Sequence, residues 1–291
     1  MNADRPSPAP ASDLLDGYLR RVGLPGAGGL AADAAGLAAV QRAHSYALPF
    51  ENIDPVRGTV PSLAAADLEA KLVHGGRGGY CYEHNILFAD ALTALGFGVT
   101  LLTARVLVGA DTIASRPRTH MALLVRTPEA EGSVPYLADV GFGAPGALIE
   151  PLPLVADAEQ AAEHRRHRLV RVPHEGPAPL WVLEAHGDGG WARQYAFTCE
   201  PFERVDFDGI NWNIATNPRS PFSRRLFVQR ALPGGVHRAL ADGRLTETRA
   251  GAVVRTADVR TDGALRRVLD EEFGIVPPAG LTLADVRMAA G

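Results

Sequence analysis

Cysteine is scarce in this chain: Cys81 and Cys199 are the only two among 291 residues. Two thiols cannot build the disulfide framework of a small secreted domain, and a free thiol implies a reducing compartment, by default the cytoplasm. Long hydrophobic runs are missing too. No stretch approaches the roughly 18 consecutive apolar residues of a membrane span, so none is expected. Neither sign of charge dominates, with 29 Lys and Arg against 33 Asp and Glu and a net charge of −4. That balance gives no electrostatic footprint for nucleic acid or for an anionic membrane. Met1 to Ser12 lack the basic start and apolar centre of a signal peptide, and their Pro, Ala and Ser content predicts a disordered tail. No internal repeat and no long linker interrupts the rest. What remains is an ordinary soluble composition, 46% apolar and 21% charged, long enough for a sizeable core packed as one unit.

The first third reads as helical. Ser12 is placed to cap a helix with Leu14, Leu15, Tyr18, Leu19 and Val22 on one face, and Gly26, Gly28 and Gly29 break it. A second helix is expected over Ala31 to His44, and a third from Ser62 to Val73 with Leu63, Leu68 and Leu72 inward. A fourth starts at Cys81, where Tyr82, Ile86, Ala89, Leu92 and Leu95 recur at helical spacing. After Gly96-Phe97-Gly98 the period falls to two. Strands are predicted at Val99–Leu102, Ala104–Val108, His120–Val125, Tyr136–Val140, Arg168–Val172, Trp181–Ala185 and Gln194–Thr198. Short turns between consecutive strands imply an antiparallel sheet or barrel. Further strands are expected within Arg219–Leu232 and Ala252–Val259, then helices at Leu265–Phe273 and Leu283–Ala290, the last capped by Thr282. The fold class is α+β.

The richest stretch is Arg77-Gly78-Gly79-Tyr80-Cys81-Tyr82-Glu83-His84-Asn85. Glycine pairs lead into a cysteine at a helix start, where free N–H groups and the positive end of the macrodipole favour an anion. A thiol there loses its proton more readily, above all beside a protonated imidazole. The plain alternative is a buried cysteine packed as a small hydrophobe. A nucleophilic thiol also needs a base, and the base an orienting group. His84 lies three residues on and can share the helix face; His120 opens a strand; Asp139 ends the next one, 19 residues later. If those strands are neighbours, His120 and Asp139 meet at one end of the sheet. Singly, His120 reads equally as a sheet-edge histidine and Asp139 as a turn residue. Together with Cys81 they form an ordered Cys, His, Asp set. Cys81-x-x-His84 lacks the second ligand pair of a zinc site, and Gly75 to Gly79 lacks the ending of a phosphate loop. The basic runs Arg165-Arg166-His167-Arg168 and Arg224-Arg225 read as solvated faces or as partners for phosphates.

Four separated motifs, Pro49-Phe50-Glu51-Asn52, Arg77 to Asn85, Thr119-His120-Met121 and Tyr136 to Gly143, resemble the arylamine N-acetyltransferase family. The resemblance implies an N-terminal helical bundle (13–97), a central antiparallel β-barrel (98–205) and a C-terminal α/β lid (206–291), following a tail at 1–12, with a cysteine-proteinase-like core. It implies Cys81 as nucleophile, His120 as base and Asp139 as orienting acid. Phe142 matches a pocket-lining aromatic, and Thr119 with Gly141 and Gly143 matches the region that meets acetyl-CoA. The expected activity is ping-pong acetyl transfer to an arylamine, hydrazine or hydroxylamine, a reaction of xenobiotic metabolism. Acetyl-CoA is then a co-substrate, with no resident cofactor and no metal. Small molecules are the expected partners, without nucleic acid or membrane, and assembly as a homodimer stays open. Two alternatives share these motifs: an amide synthase acting on a carrier-bound polyketide chain, and a cysteine hydrolase or transglutaminase-like enzyme. A non-catalytic binding protein on the same fold is a third. The chain departs from the family pattern in its Pro/Ala-rich start and in the loop Ser115 to Arg118 before His120.

Overall fold

A computed structural model describes residues 11–128 and 132–287. Most of the expected tail, residues 1–10, and the end of the last expected helix, 288–291, lie outside the described residues. Three helices form the first layer: α1 (Ala11–Val22), α2 (Ala34–Ala47) and, after two short turns, α5 (Cys81–Ala94). The turns are α3 (Ile53–Val56) and α4 (Ala65–Leu68), the latter widening into a π turn over Glu69–His74. Buried Tyr18, Leu19, Leu37, Val40, Phe88 and Leu92 join these helices in one core. Three boundaries differ from expectation. Ser12 lies inside α1, not before it. Helix α2 begins at Ala34, capped by Asp33, whose carboxylate accepts from Gly36 N at 2.7 Å. The Ser62–Val73 stretch is extended up to Ala64, where the exposed Ser62 hydroxyl accepts from Ala64 N (3.3 Å) and donates to Asp67 (2.5 Å) ahead of the first helical turn.

An eight-stranded sheet follows, in the order β5-β4-β3-β2-β9-β8-β7-β6. The single two-residue strand before it is β1 (Phe50–Glu51). Its own strands are β2 (Gly98–Val106), β3 (Arg118–Arg126), β4 (Tyr136–Ala138), β5 (Leu152–Pro153), β6 (Gln160–Ala162), β7 (Arg165–Val172), β8 (Leu180–Gly187) and β9 (Gly190–Phe197). Every ladder is antiparallel. Asp157 N donates to Leu169 O at 2.7 Å and Ala156 bridges Leu169, which folds the β5 end back onto β7 and nearly closes a barrel. Residue parity divides β3 between two cores. Met121, Leu123 and Val125 pack on the helices, while Ala122 and Leu124 pack inside the barrel with Leu137, Trp181, Leu183 and Tyr195.

The last third differs most from the sequence reading. Helix α6 (Arg204–Thr216) was not expected. Within Arg219–Leu232 a helical turn, α7 (Pro221–Arg224), precedes β10 (Phe227–Leu232), since Ser220 caps it and Pro221 takes the first helical position. Strands β11 (Val236–Ala241) and β12 (Arg244–Arg249) were also missed, whereas β13 (Ala252–Asp258) was expected. The sheet runs β1-β10-β11-β12-β13, so the Pro49–Asn52 segment of the first third becomes its edge. Leu240, Leu245, Leu265, Leu269 and Phe273 bury helix α8 (Asp262–Phe273) against it. Helix α9 (Leu283–Arg287) closes the described chain.

Asn52 makes the junction. Its amide donates to the carbonyls of Phe222 (2.7 Å) and Arg225 (2.8 Å) and accepts from Phe227 N (2.7 Å), while the residue is 1% exposed. Removing it orphans three backbone groups. Asn52→Ala is therefore expected to cost about 3 kcal/mol in denaturant unfolding; a loss under about 1 kcal/mol would show that water substitutes for the amide.

Candidate active site

Helix α5 carries the thiol because the chain buries it on nearly every side. Cys81 through Ala89 are all buried, including three polar residues that each have partners. The Glu83 carboxylate accepts from Tyr80 N (3.1 Å) and from Lys71 Nζ (2.6 Å), so it caps the helix and ties it to the π turn. Lys71 also reaches Asp54 at 2.5 Å, and Arg77 pairs with Asp54 (3.0 Å) and with buried Glu51 (2.7 Å). This chain of charges pins the glycine loop leading into Cys81. Burial would lower the Lys71 pKa, but Glu83, Glu51 and Asp54 raise it, and the ammonium stays charged.

His84 is occupied elsewhere. Its Nε2 lies 3.1 Å from the Pro49 carbonyl, which can only accept, so this nitrogen carries the proton. Nδ1 then accepts from His44 Nε2 at 2.8 Å, and His44 Nδ1 accepts from the Tyr18 hydroxyl at 2.9 Å. Burial, its largest cause, lowers the His84 pKa to about 4. With both ring nitrogens engaged, His84 is not a base for Cys81.

His120 is. Strands β3 and β4 pair as expected, with Leu123 opposite Ala138. Continuing that register sets Asp139 across from Ala122 and hence diagonal to His120. Side chains of this length bridge a diagonal, and His120 Nε2 meets Asp139 Oδ2 at 2.7 Å. The Cys81 sulfur also interacts with the imidazole. A β-bulge aims the ring. Ala104 pairs with His120 and Arg105 with Arg118, leaving Thr119 as the extra residue. Its unpaired carbonyl accepts from the buried Tyr82 hydroxyl at 2.6 Å. Phe142 and Tyr195 flank the imidazole at ring separations of 5.2 and 5.0 Å.

Asp139 is 1% exposed and fully engaged. Besides His120 it accepts from Asn85 Nδ2 (3.0 Å) and Gly141 N (2.8 Å). Burial alone would raise its pKa, but the His120 charge and these donors hold the carboxyl below the usual range. The loop Gly141-Phe142-Gly143 can only be built with glycine. A Cβ on Gly141 would stand 2.7 Å from the Cys81 Cα, and one on Gly143, at φ +65°, would stand 2.5 Å from the Phe50 ring. All seven residues singled out from the sequence thus meet in one place.

Two residues there were missed. Asn85 Nδ2 also donates to Met121 O (2.7 Å), and its Oδ1 accepts from Val140 N (3.2 Å), so one amide clamps α5 to both strands. Its signal was its position, one helical turn after Cys81. Tyr195 packs on His120 and Phe142 with a buried hydroxyl that lacks a hydrogen-bond partner of normal geometry among the described residues. A cleft of about 750 Å³ adjoins the centre, lined by the Leu107–Ile113 loop, Ala144–Gly146 and Trp191–Gln194. Cys81, His120 and Asp139 do not line it directly.

Burial disfavours a charged His120, but the Asp139 carboxylate and the Cys81 sulfur outweigh it and raise the pKa to about 10. A folded value above the ordinary one stabilises the fold fully below about pH 6.5, progressively less above it, and not at all beyond the folded pKa. The stability difference between wild type and His120→Gln should therefore be largest near pH 6 and vanish near pH 10 in urea unfolding. A difference independent of pH would contradict the ion pair.

The family profile described as N-acetyltransferase matches residues 33–280. An arylamine N-acetyltransferase of Mycolicibacterium smegmatis is 39% identical over 94% of this chain and 93% of its own length. The solved arylamine N-acetyltransferase of Salmonella typhimurium superimposes with a TM-score of 0.83 at 32% identity, covering 94% of this chain and 96% of that one. The Mycobacterium marinum enzyme in complex with CoA gives a TM-score of 0.80 at 32% identity, covering 90% and 92%.

Proposed function

The chain belongs to the arylamine N-acetyltransferase family, and from that premise we propose that it moves acetyl from acetyl-CoA to an arylamine, hydrazine or hydroxylamine through a thioester on Cys81. The observation that carries this reading is the buried line Cys81, His120, Asp139 at the head of a helix. The named activity of the relatives and the CoA held by the Mycobacterium marinum enzyme support it.

In the first half-reaction the Cys81 sulfur attacks the acetyl carbonyl carbon. A C–S bond to Cys81 forms, the C–S bond to CoA breaks, and the departing CoA sulfur takes a proton from the His120 imidazolium. Backbone N–H groups at the start of α5, that of Cys81 among them, hold the developing oxyanion. In the second half-reaction the amine nitrogen attacks the acetyl carbon, gives a proton to His120, and Cys81 leaves as thiolate. Asp139 keeps Nε2 protonated and steadies the imidazolium. The enclosing rings of Phe142 and Tyr195 limit water, which protects the thioester from hydrolysis. Among the described residues no helix is long and apolar enough to cross a membrane. Both thiols are free, which fits a reducing compartment, and we place the protein in the cytoplasm.

Intact mass after incubation with acetyl-CoA and no amine is the direct test. Wild type is expected to gain one acetyl group that an added arylamine removes, and Cys81→Ala to gain none; an equal gain in both would refute the relay. Asp139→Asn should lower turnover on the scale of about 10⁴-fold, as for the comparable change in serine triads. His84→Gln should be far milder than His120→Gln, and the reverse order would make His84 the base.

A further inference from the structure

The strand that carries the base is gripped by helix α5 on both sides of that base. Strand β4 pairs with β3 only from Leu123 onward, so around His120 the ladder partner is β2. Two side chains of α5, three residues apart and so on one helical face, serve the β3 carbonyls that flank His120. Tyr82 Oη donates to Thr119 O at 2.6 Å, and Asn85 Nδ2 donates to Met121 O at 2.7 Å. Asn85 also holds the Asp139 carboxylate. The Tyr82 hydroxyl reaches instead the backbone next to the base, and it also interacts with the Cys81 sulfur. Burial raises the Tyr82 phenol above its ordinary range, so the hydroxyl stays a donor.

The bulge gives that bond its leverage. Thr119 is the extra residue of β3, and its carbonyl has no place in the ladder. The Thr119 carbonyl and the His120 N–H belong to one planar peptide group. If that plane turned, φ of His120 would change, and with it the direction in which the imidazole hangs. Beyond the bulge, Arg118 is held by Glu200 (3.3 Å) and lies over the Phe202 ring (5.8 Å). The bond from Tyr82 fixes the plane between these anchors.

The phenol is itself held firmly. Tyr82 is fully buried, edge-on to the Tyr80 ring at 5.3 Å and against Phe207 of α6 at 6.1 Å. The Tyr80 hydroxyl donates to Asn211 of α6, whose amide donates to the Pro61 carbonyl at 2.9 Å. A phenylalanine would fill the same ring pocket, so packing does not account for the hydroxyl. Its position in the chain does, because Tyr82 directly follows the nucleophile. One short link, from Cys81 through the phenol to the Thr119–His120 peptide, sets thiol and base together without passing through Asp139. Resting on the acetyl-transfer reading, we infer that Tyr82 is a positioning residue whose hydroxyl, by holding the Thr119 carbonyl, aims His120 at the Cys81 sulfur.

The test is a double-mutant cycle of Tyr82→Phe and His120→Gln on the single-turnover rate of Cys81 acetylation, read by intact mass. With His120 in place, Tyr82→Phe is expected to slow acetylation about 10–100-fold and to leave the half-saturating acetyl-CoA concentration within about twofold. On His120→Gln the same change should slow it by less than about twofold, since no base is left to aim. Iodoacetamide alkylation of Cys81 at neutral pH, with Cys199 followed separately by peptide mapping, runs the same cycle without an acetyl donor. A wild type that takes no acetyl group would sink the acetyl-transfer reading, while the alkylation cycle still decides the role of Tyr82. An equal loss in both backgrounds would mean that the hydroxyl acts on the sulfur or on packing, and would overturn the assignment. An unchanged rate with His120 in place would overturn it too. Rates are compared well below the lowest melting temperature of the set. Replacement of Tyr82 by 4-fluorophenylalanine, which fills the volume and removes only the donor, takes the place of Tyr82→Phe if that variant melts too early.

Discussion

One buried carboxylate constrains the whole centre. Asp139 is removed from water, so each lone pair must find a donor or the fold bears the cost of an uncompensated charge. It finds three: the His120 imidazole, the Asn85 amide and the Gly141 N–H. Each donor comes from a different element, β3, α5 and the loop after β4. The charge therefore holds helix, strand and loop in a single arrangement, and the chemistry depends on that arrangement.

The surroundings repeat the same logic. Helix α5 can be buried because Glu83, His84 and Asn85 are satisfied by Lys71, by His44 and Pro49, and by the two strands. The Tyr18–His44–His84–Pro49 line runs in one donor direction with every ring neutral, which joins α1, α2 and α5 without burying a charge. Two bulges, at Thr119 in β3 and at Gln194 in β9, fall at the same end of the barrel. The first frees a carbonyl for Tyr82 and the second one for Leu107 N (2.8 Å), so the ladder irregularities that aim His120 and place Tyr195 leave these carbonyls satisfied.

Much of the architecture was legible in the residues. The change from period 3.6 to period 2 at Gly96 marks where helices give way to the barrel, and the short turns correctly implied antiparallel pairing. Helix α6 escaped because its sequence holds Gly209 and the β-branched Val205, Ile210 and Ile214, and because Val205 and Trp212 are exposed at 71% and 61%, blurring the apolar stripe. Strands β11 and β12 escaped because they are short and charged; Arg238 and Glu247 face each other there as an ion pair at 2.7 Å. Their burial comes from α8, which lies later in the chain.

By itself the sequence determined which thiol, imidazole and carboxylate would be brought together. A thiol at a helix start behind glycines, a histidine at a strand start and an aspartate at the next strand end are local signals, written in residue type and spacing. The tertiary structure alone decided how those groups are tuned. Only packing could show that His84 is spent on His44 and Pro49, that Asn85 is the clamp, that Tyr195 covers the imidazole, and that Arg165 turns inward to the Ala147 carbonyl while Arg166 turns out. These are contacts between residues far apart in the chain, and their energies depend on burial and on partners that no local pattern encodes.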